Sequence, residues 1–483
     1  MLRRLIKDSS FYAIGILLDR AMRFVMIPIY TRVLTPSDFG VVEIISRLVE
    51  LIGLLLALGM SAALLRFYNE AKDDGDRRSL VASGMILMTT IAAAAMLLLI
   101  PASPLLNRLI FDDTQWVGCV RLAVAGTLLS WFVDIPLTIL RAQGKLRTFT
   151  TFSCLQLLSA VALKLALVVW LRLGVLGVVL STFLNAALWG AILGVAVWRS
   201  AGLQLKSEWV RRLLAYGLPL VPAMLAQFAL HFSDRFFLVR SASSHELGIY
   251  ALAYRFAMLV PAFSGIMVFA WWPWAFRIAK EPEAETHLRD AAAMLLTTTG
   301  VLCSGVILFA DPVLRLVAAQ PYWVAARYVP PLVLAYWFFD VQTPLSLGAH
   351  LAKRTDALAV ASTVSAASCL GLSVLLIPRY KAWGAAAVTL ASFALLAIST
   401  LIGSRLFRPL PQRWGVILGS LACVLVATAA AGSRVAYMPS VGELAMRVGL
   451  WVAIILALSS WLIARWFRNS GTRGWVARIA KGI

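Results

Sequence analysis

The chain has 483 residues, 61% of them hydrophobic and 14% charged, with a formal net charge of +21. So little charge over such a length excludes a water-soluble globular protein, whose surface needs far more polar cover. The basic excess does not point to nucleic acid, because it gathers in the segments that join long apolar runs.

Those runs are each long enough to cross a bilayer's hydrocarbon. We place about fourteen, at 10–33, 39–63, 80–102, 117–140, 149–171, 174–198, 211–233, 247–272, 289–310, 327–349, 356–377, 383–404, 414–433 and 444–464. The fold class is therefore all-α, a polytopic transmembrane helix bundle. The joining segments are too short for a separate catalytic domain, which excludes an enzyme built on an extramembrane globule; no enzymatic activity is expected. The first run follows Arg3, Arg4 and Lys7, is too long for a signal peptide and lacks a small-residue cleavage site. It reads as a retained helix.

Several runs carry charge, which at bilayer depth costs enough free energy that it normally faces a partner or a water-filled cavity. The first run has Asp19 and Arg23 at i,i+4 with Arg20 beside them, and the second has Glu43, Arg47 and Glu50 along one helical stripe. Both sets are compatible with self-neutralising pairs that join helices. Asp134 follows in the fourth run and Lys164, with no evident local partner, in the fifth. The seventh holds Gln227, His231 and, at its end, Asp234-Arg235, which are expected to snorkel to the interface. His231 is equally compatible with a core histidine. The eighth run carries Arg255 and the tenth Asp340. Asp134 and Asp340 suit either pairing with Arg141 and Lys353 or proton coupling. Pro28, Pro136, Pro219, Pro222, Pro261, Pro330, Pro331 and Pro344 interrupt the runs at points where helices can bend.

Cys119, Cys154, Cys303, Cys369 and Cys423 all lie inside apolar runs without CxxC or Cys/His spacing. No metal site, disulfide framework or cofactor is expected. No glycine-rich nucleotide loop is visible, so the chain is not expected to hydrolyse ATP itself.

With the N-terminus placed in the cytoplasm, 27 of the 44 basic residues fall on inner-side segments. Eleven, including Arg315 and Arg447, fall in opposite-side loops, and six lie within the runs. The positive-inside rule then predicts both termini in the cytoplasm.

The chain also repeats itself. Asp38-Phe39-Gly40-Val41 and Arg47 recur as Glu246-Leu247-Gly248-Ile249 and Arg255, an offset of 208. Trp131-Phe132-Val133-Asp134 recurs as Trp337-Phe338-Phe339-Asp340, Arg147-Thr148 as Arg354-Thr355, and Gly177 as Gly384, at offsets of 206 and 207. Two equivalent bundles related by a pseudo-twofold are predicted, the build of many secondary transporters. The expected organisation is an N-terminal six-helix bundle at 1–200 and its repeat at 201–410, then two further helices at 411–465 and a basic cytoplasmic tail at 466–483. The 208-residue shift lays Asp19 and Arg23 onto Gln227 and His231, and Arg47 onto Arg255. Two polar faces would then oppose each other across one central space, with cations from both halves drawing an anion; arginine's planar fork suits phosphate or carboxylate oxygens. Candidate substrate-binding residues are Arg23, Arg47, Lys164, Gln227, His231 and Arg255; candidate coupling residues are Asp19, Glu43, Glu50, Asp134 and Asp340.

The segment Pro28-Ile29-Tyr30-Thr31-Arg32-Val33-Leu34-Thr35-Pro36-Ser37-Asp38-Phe39-Gly40 resembles the first-loop signature of bacterial polysaccharide-type flippases. These belong to the multidrug/oligosaccharidyl-lipid/polysaccharide exporter superfamily. Leu58-Gly59-Met60-Ser61-Ala62-Ala63 with Arg66-Phe67-Tyr68, and Gly174-Val175-Leu176-Gly177, resemble the same group. The resemblance covers residues 1–410. It implies a carrier in the bacterial cytoplasmic membrane that moves an undecaprenyl-pyrophosphate-linked oligosaccharide, such as an O-antigen or exopolysaccharide unit, from the inner to the outer leaflet. It also implies a basic cavity for the pyrophosphate, a groove for the lipid tail beside the two added helices, and coupling to an ion gradient or the membrane potential. The implied partners are the lipid-linked oligosaccharide and membrane lipids, with a polysaccharide polymerase and glycosyltransferases as candidates, and no nucleic acid. Alternative expectations are a lipid II flippase, a drug/cation antiporter of the same superfamily, and a non-transporting scaffold for glycan synthesis.

Overall fold

The computed structural model describes residues 22, 24–111, 114–431 and 440–469, the last nine of these by backbone alone. The described residues form helices joined by short loops and include no strand. In chain order the helices are α1 (Phe24–Val33), α2 (Pro36–Ala57), α3 (Met60–Glu70), α4 (Asp74–Leu99) and α5 (Ser103–Ile110). They continue with α6 (Val117–Ala142), α7 (Leu146–Lys164, prolonged by a wide turn over Leu165–Trp170), α8 (Gly174–Ala201), α9 (Ser207–Gly217) and α10 (Val221–Phe232). Next come α11 (Asp234–Ser241), α12 (Ser244–Ala257), α13 (Leu259–Ile278), α14 (Ala284–Val317), α15 (Val329–Leu345) and α16 (Leu347–Leu351). The last are α17 (Thr355–Phe407), α18 (Trp414–Ala431) and α19 (Val441–Asn469).

Each of the fourteen expected runs carries helix, the first described only from its later part. Among the described residues eleven helical stretches are long and apolar enough to cross a membrane. The count is below fourteen because the described part of the first run is short, α15 has 17 residues, and α17 joins two expected spans into 53 residues. α17 is two helices end to end, broken at Lys381 with φ 51° and ψ −127°, just after Pro378. The chain is a multi-pass membrane protein.

Contacts divide the chain into two compact units: Met1–Ala251 with Cys369–Ala385, and Leu252–Ser368 with Ala386–Ile483. In the first, α6 and α8 cross closely because glycines line their seam. A methyl group on Gly126 would lie 3.2 Å from the Phe183 Cα, and one on Gly190 3.1 Å from the Leu129 carbonyl. Small residues let helix backbones approach where no water-driven force pushes them together.

The repeated segments at Asp38 and Glu246 have equivalent structures in this unit, each at the start of a helix. α2 opens on a capping box: the Asp38 N–H donates to the Thr35 hydroxyl (3.2 Å) and the Thr35 N–H to the Asp38 carboxylate (3.0 Å), with Pro36 at the first helical position. At the start of α12, the Glu246 N–H donates to the Ser243 hydroxyl (3.2 Å) in the same way. There the Glu246 carboxylate is turned elsewhere and accepts from the Ala382 N–H, 3.0 Å away, at the break in α17. These two helix starts touch. A Cβ on Gly40 would sit 1.8 Å from the Ser244 carbonyl oxygen, and one on Gly248 would sit 1.9 Å from that of Pro36. Gly40 and Gly248 are 208 residues apart, as are Pro36 and Ser244, so the 208-residue offset exchanges the two contacts and the approach is symmetric. At the other end of α2, Gly59 (φ +67°) and Gly217 meet with equal closeness, a Cβ on Gly217 falling 2.0 Å from the Leu58 carbonyl. Only glycine fits either crossing.

In the second unit Trp271, Ala275, Leu288, Ala292, Leu295 and Leu347 form one core. α18 and α19 are built into this unit through α14 and α15. The Trp337 indole donates to the Ser420 hydroxyl (2.7 Å), the Trp451 indole to the Val301 carbonyl (3.1 Å), and Gly300 and Gly305 leave room for Ser420 and Trp451.

Candidate functional site

The strongest concentration of buried charge in the first unit is assembled from α2, α10, α11 and α12. The i,i+4,i+7 spacing puts Glu43, Arg47 and Glu50 on one face of α2, and there the Arg47 Nε donates to Glu43 (2.8 Å) and its Nη1 to Glu50 (2.5 Å). The same Glu43 oxygen accepts from the Arg235 Nε at 3.0 Å. Arg235 Nη1 also donates to the His231 carbonyl (2.8 Å) and to Asp234 (2.9 Å), whose other oxygen accepts from the Tyr250 hydroxyl (2.5 Å). One ring serves both cations: the Phe232 centroid is 4.2 Å from the Arg47 guanidinium carbon and 5.0 Å from that of Arg235.

The two arginines differ in access. The Arg235 side chain is 2% exposed, against 21% for Arg47. Along α2, Glu43 is sealed at 4% while Glu50 stands open at 45%. The network thus runs from a dry end at Arg235, Asp234 and Tyr250 to an open end at Arg47 and Glu50. Charge left open on a membrane helix calls for water beside it rather than lipid tails.

Arg235 is therefore not at an interface, contrary to the snorkelling expected from its position near a run's end. Ser233, between α10 and α11, keeps helical backbone angles, so Arg235 lies one turn beyond His231, whose carbonyl it meets, and reaches Glu43 on α2. The adjacent opposite charges at Asp234 and Arg235 were a visible signal of a buried pair; Tyr250 and Glu43, far off in sequence, were not.

Of the other expected site residues, Asp19 and Arg23 lie outside the described residues. His231 joins the network through its carbonyl, its ring centroid 5.9 Å from that of Phe232. Gln227 is exposed on α10, and Lys164 is half-buried in the last turn of α7. Asp134 is exposed on α6 and has no ion pair with Arg141 among the described residues; Arg141 donates to Thr138 instead (3.0 Å). Arg255 belongs to the second unit, half-buried on α12. Asp340, in the same unit, is buried on α15 with the Thr299 hydroxyl 3.5 Å away, and among the described residues no ion pair joins it to Lys353.

The second unit holds a charge cluster that the sequence had placed in loops. Arg315 on α14 and Arg447 on α19 are 6% and 4% exposed. Arg315 donates to Asp311 (2.9 Å) and lies over Trp323 at 4.9 Å; Arg447 donates to the Leu308 carbonyl (2.9 Å) and pairs with Glu443 (3.6 Å) and Asp311 (4.0 Å). These acids sit one turn from the arginines on the same helices, so each arginine is neutralised locally before the helices meet. Among the described residues no group of three His, Cys, Asp or Glu side chains is arranged to hold a metal ion.

The chain shares its fold with solved membrane transporters, some of them of the MOP superfamily. A lipid II flippase, MurJ, in an inward closed conformation matches with a TM-score of 0.75 at 14% identity, over 96% of this chain and all of that one. An inward-facing multidrug resistance MATE family transporter matches at 0.58 and 17% identity, over 83% of this chain and 94% of that one. A MOP superfamily transporter from Pyrococcus furiosus matches at 0.54 and 16% identity, over 87% and 93%. No curated protein matches the chain in sequence. The pattern of the polysaccharide biosynthesis protein family covers residues 5–279, and the chain belongs to that family.

Proposed function

We propose that the protein is a flippase that carries an undecaprenyl-pyrophosphate-linked oligosaccharide from the inner to the outer leaflet of the bacterial cytoplasmic membrane, with both termini in the cytoplasm. The two six-helix repeats, 1–200 and 201–410, alternate access to a cationic cavity, with 411–465 as added helices and 466–483 as a basic tail. Arg23, Arg47, Lys164, Gln227, His231 and Arg255 contact the head group; Asp19, Glu43, Glu50, Asp134 and Asp340 couple its movement to an ion gradient or the membrane potential. The pyrophosphate is too polar to cross hydrocarbon unaided, whereas the polyprenyl chain can stay in lipid. No bond is broken, so the work is binding and release.

The observation that carries this reading is the open end of the α2 network. Arg47 is partly exposed on an apolar helix, held by the sealed Glu43 through its Nε and by the exposed Glu50 through its Nη1. Membership of the polysaccharide biosynthesis protein family supports a glycan-bearing substrate. A second reading, flipping of lipid II itself, is supported by the match to that flippase over the whole of its chain.

The test is reconstitution of the purified protein in liposomes with an undecaprenyl-pyrophosphate oligosaccharide bearing a fluorescent sugar, reading protection of the label from an impermeant quencher. The protein should speed leaflet exchange, and replacing Arg47 and Arg255 together by alanine should abolish the gain while leaving the protein folded. Labelled lipid II and a cationic dye, run in parallel, separate the second reading and an antiporter. Equal rates for parent and double variant would overturn the assignment.

A further inference from the structure

We infer that Glu50 is a built-in stand-in for the substrate's pyrophosphate: it occupies the outward edge of Arg47 in the empty carrier and is displaced when the anion arrives. The inference rests on the flippase reading and on the unequal way in which two glutamates hold one guanidinium.

Glu43 is fixed. It is 4% exposed and accepts from both Arg47 and the buried Arg235, so moving it would strip two arginines of a shared acceptor. Glu50 is 45% exposed, and Arg47 Nη1 is its partner among the described residues. A pair so open to water is worth only a fraction of a kcal/mol to about 1 kcal/mol, so it can be exchanged. Glu43 takes the Nε side of the guanidinium and the Phe232 ring covers a face at 4.2 Å. What remains is the Nη1/Nη2 edge, the fork that binds two oxygens of one phosphate at once. Glu50 engages that edge at Nη1 only; Nη2 has no protein partner among the described residues. A diphosphate oxyanion taking both nitrogens therefore gains a bond that Glu50 does not make.

Two consequences follow for transport. The empty carrier keeps the outer edge of Arg47 occupied, so Nη1 is not left without an acceptor on the return. The loaded carrier holds its anion against a tethered carboxylate of the same charge, which speeds release on the far side. Glu50 thus weakens binding and raises turnover.

The test compares Glu50→Gln, Glu50→Ala and Arg47→Ala in the full-length protein. Binding of undecaprenyl pyrophosphate in detergent is read by native mass spectrometry with inorganic pyrophosphate as competitor, and turnover is read in the liposome assay. Both Glu50 variants should bind undecaprenyl pyrophosphate roughly two- to fivefold more tightly, the span expected for loss of an exposed ion pair as a competitor. Their KM and kcat should fall together, and inorganic pyrophosphate should compete more strongly by the same factor. Unchanged or weaker binding in both variants, with Arg47→Ala still losing the ligand, would overturn the stand-in role and leave the flippase reading intact. Parent-like binding by Arg47→Ala would remove the site on which both depend.

Discussion

Replacing Gly40 by alanine tests the symmetric crossing of α2 and α12 directly. The added methyl group would sit 1.8 Å from the Ser244 carbonyl oxygen, where contacts under 3.0 Å are essentially never found. The two helices must part by more than an ångström, and neither side can yield by a side-chain rotation because both walls are backbone. Overpacking of this kind costs about 1–3 kcal/mol, and a backbone wall puts it at the upper end. At roughly 2 °C per kcal/mol for a unit of this size, Gly40→Ala should lower the melting temperature by about 6 °C. Gly248→Ala, whose methyl group meets the Pro36 carbonyl at 1.9 Å, should do the same. Once either substitution has opened the crossing, the second has less left to break, so the pair should fall short of additivity by about 1 kcal/mol or more. Unfolding is followed with a thiol-reactive dye, since Cys119 and Cys369 are buried in the same unit. Gly371→Ala is the control, because nothing lies within 4 Å of the new atom. Melting temperatures unchanged in both single variants, or strictly additive losses, would refute the backbone contact.

Arg235→Ala should cost about 3–5 kcal/mol and reduce the amount of protein in the membrane, because it leaves Glu43 and Asp234 buried without that partner. Arg47→Ala, at the open end, should lose transport while costing at most about 1 kcal/mol, and immunoblots of membrane fractions beside transport rates separate the two. Arg447→Ala should lower the melting temperature by breaking the buried cluster with Asp311 and Glu443, and adding Glu443→Gln should restore part of the loss, since Asp311 keeps its bond from Arg315. Ser420→Ala should cost about 1–3 kcal/mol by leaving the Trp337 indole N–H buried without its acceptor, read as earlier dye labelling of buried Cys303; Trp337→Phe in the same chain should recover some of it.

What the sequence by itself determined is what depends on neighbours along the chain. Span length, helical character, the Thr35-to-Asp38 capping box and its echo at Ser243 and Glu246, and the stripe of Glu43, Arg47 and Glu50 are all set within a few turns of helix. The 208-residue offset likewise pointed to Gly40 and Gly248 as equivalent positions. That they press backbone to backbone was a matter for tertiary structure, as was the meeting of Arg235 with Glu43 across 192 residues and of Arg447 with the Leu308 carbonyl across 139. Helical periodicity states which residues share a face, but not which helix that face will meet. In a membrane that choice is made by close packing and by finding a partner for each buried charge, since the lipid around the helices is as apolar as their own surfaces.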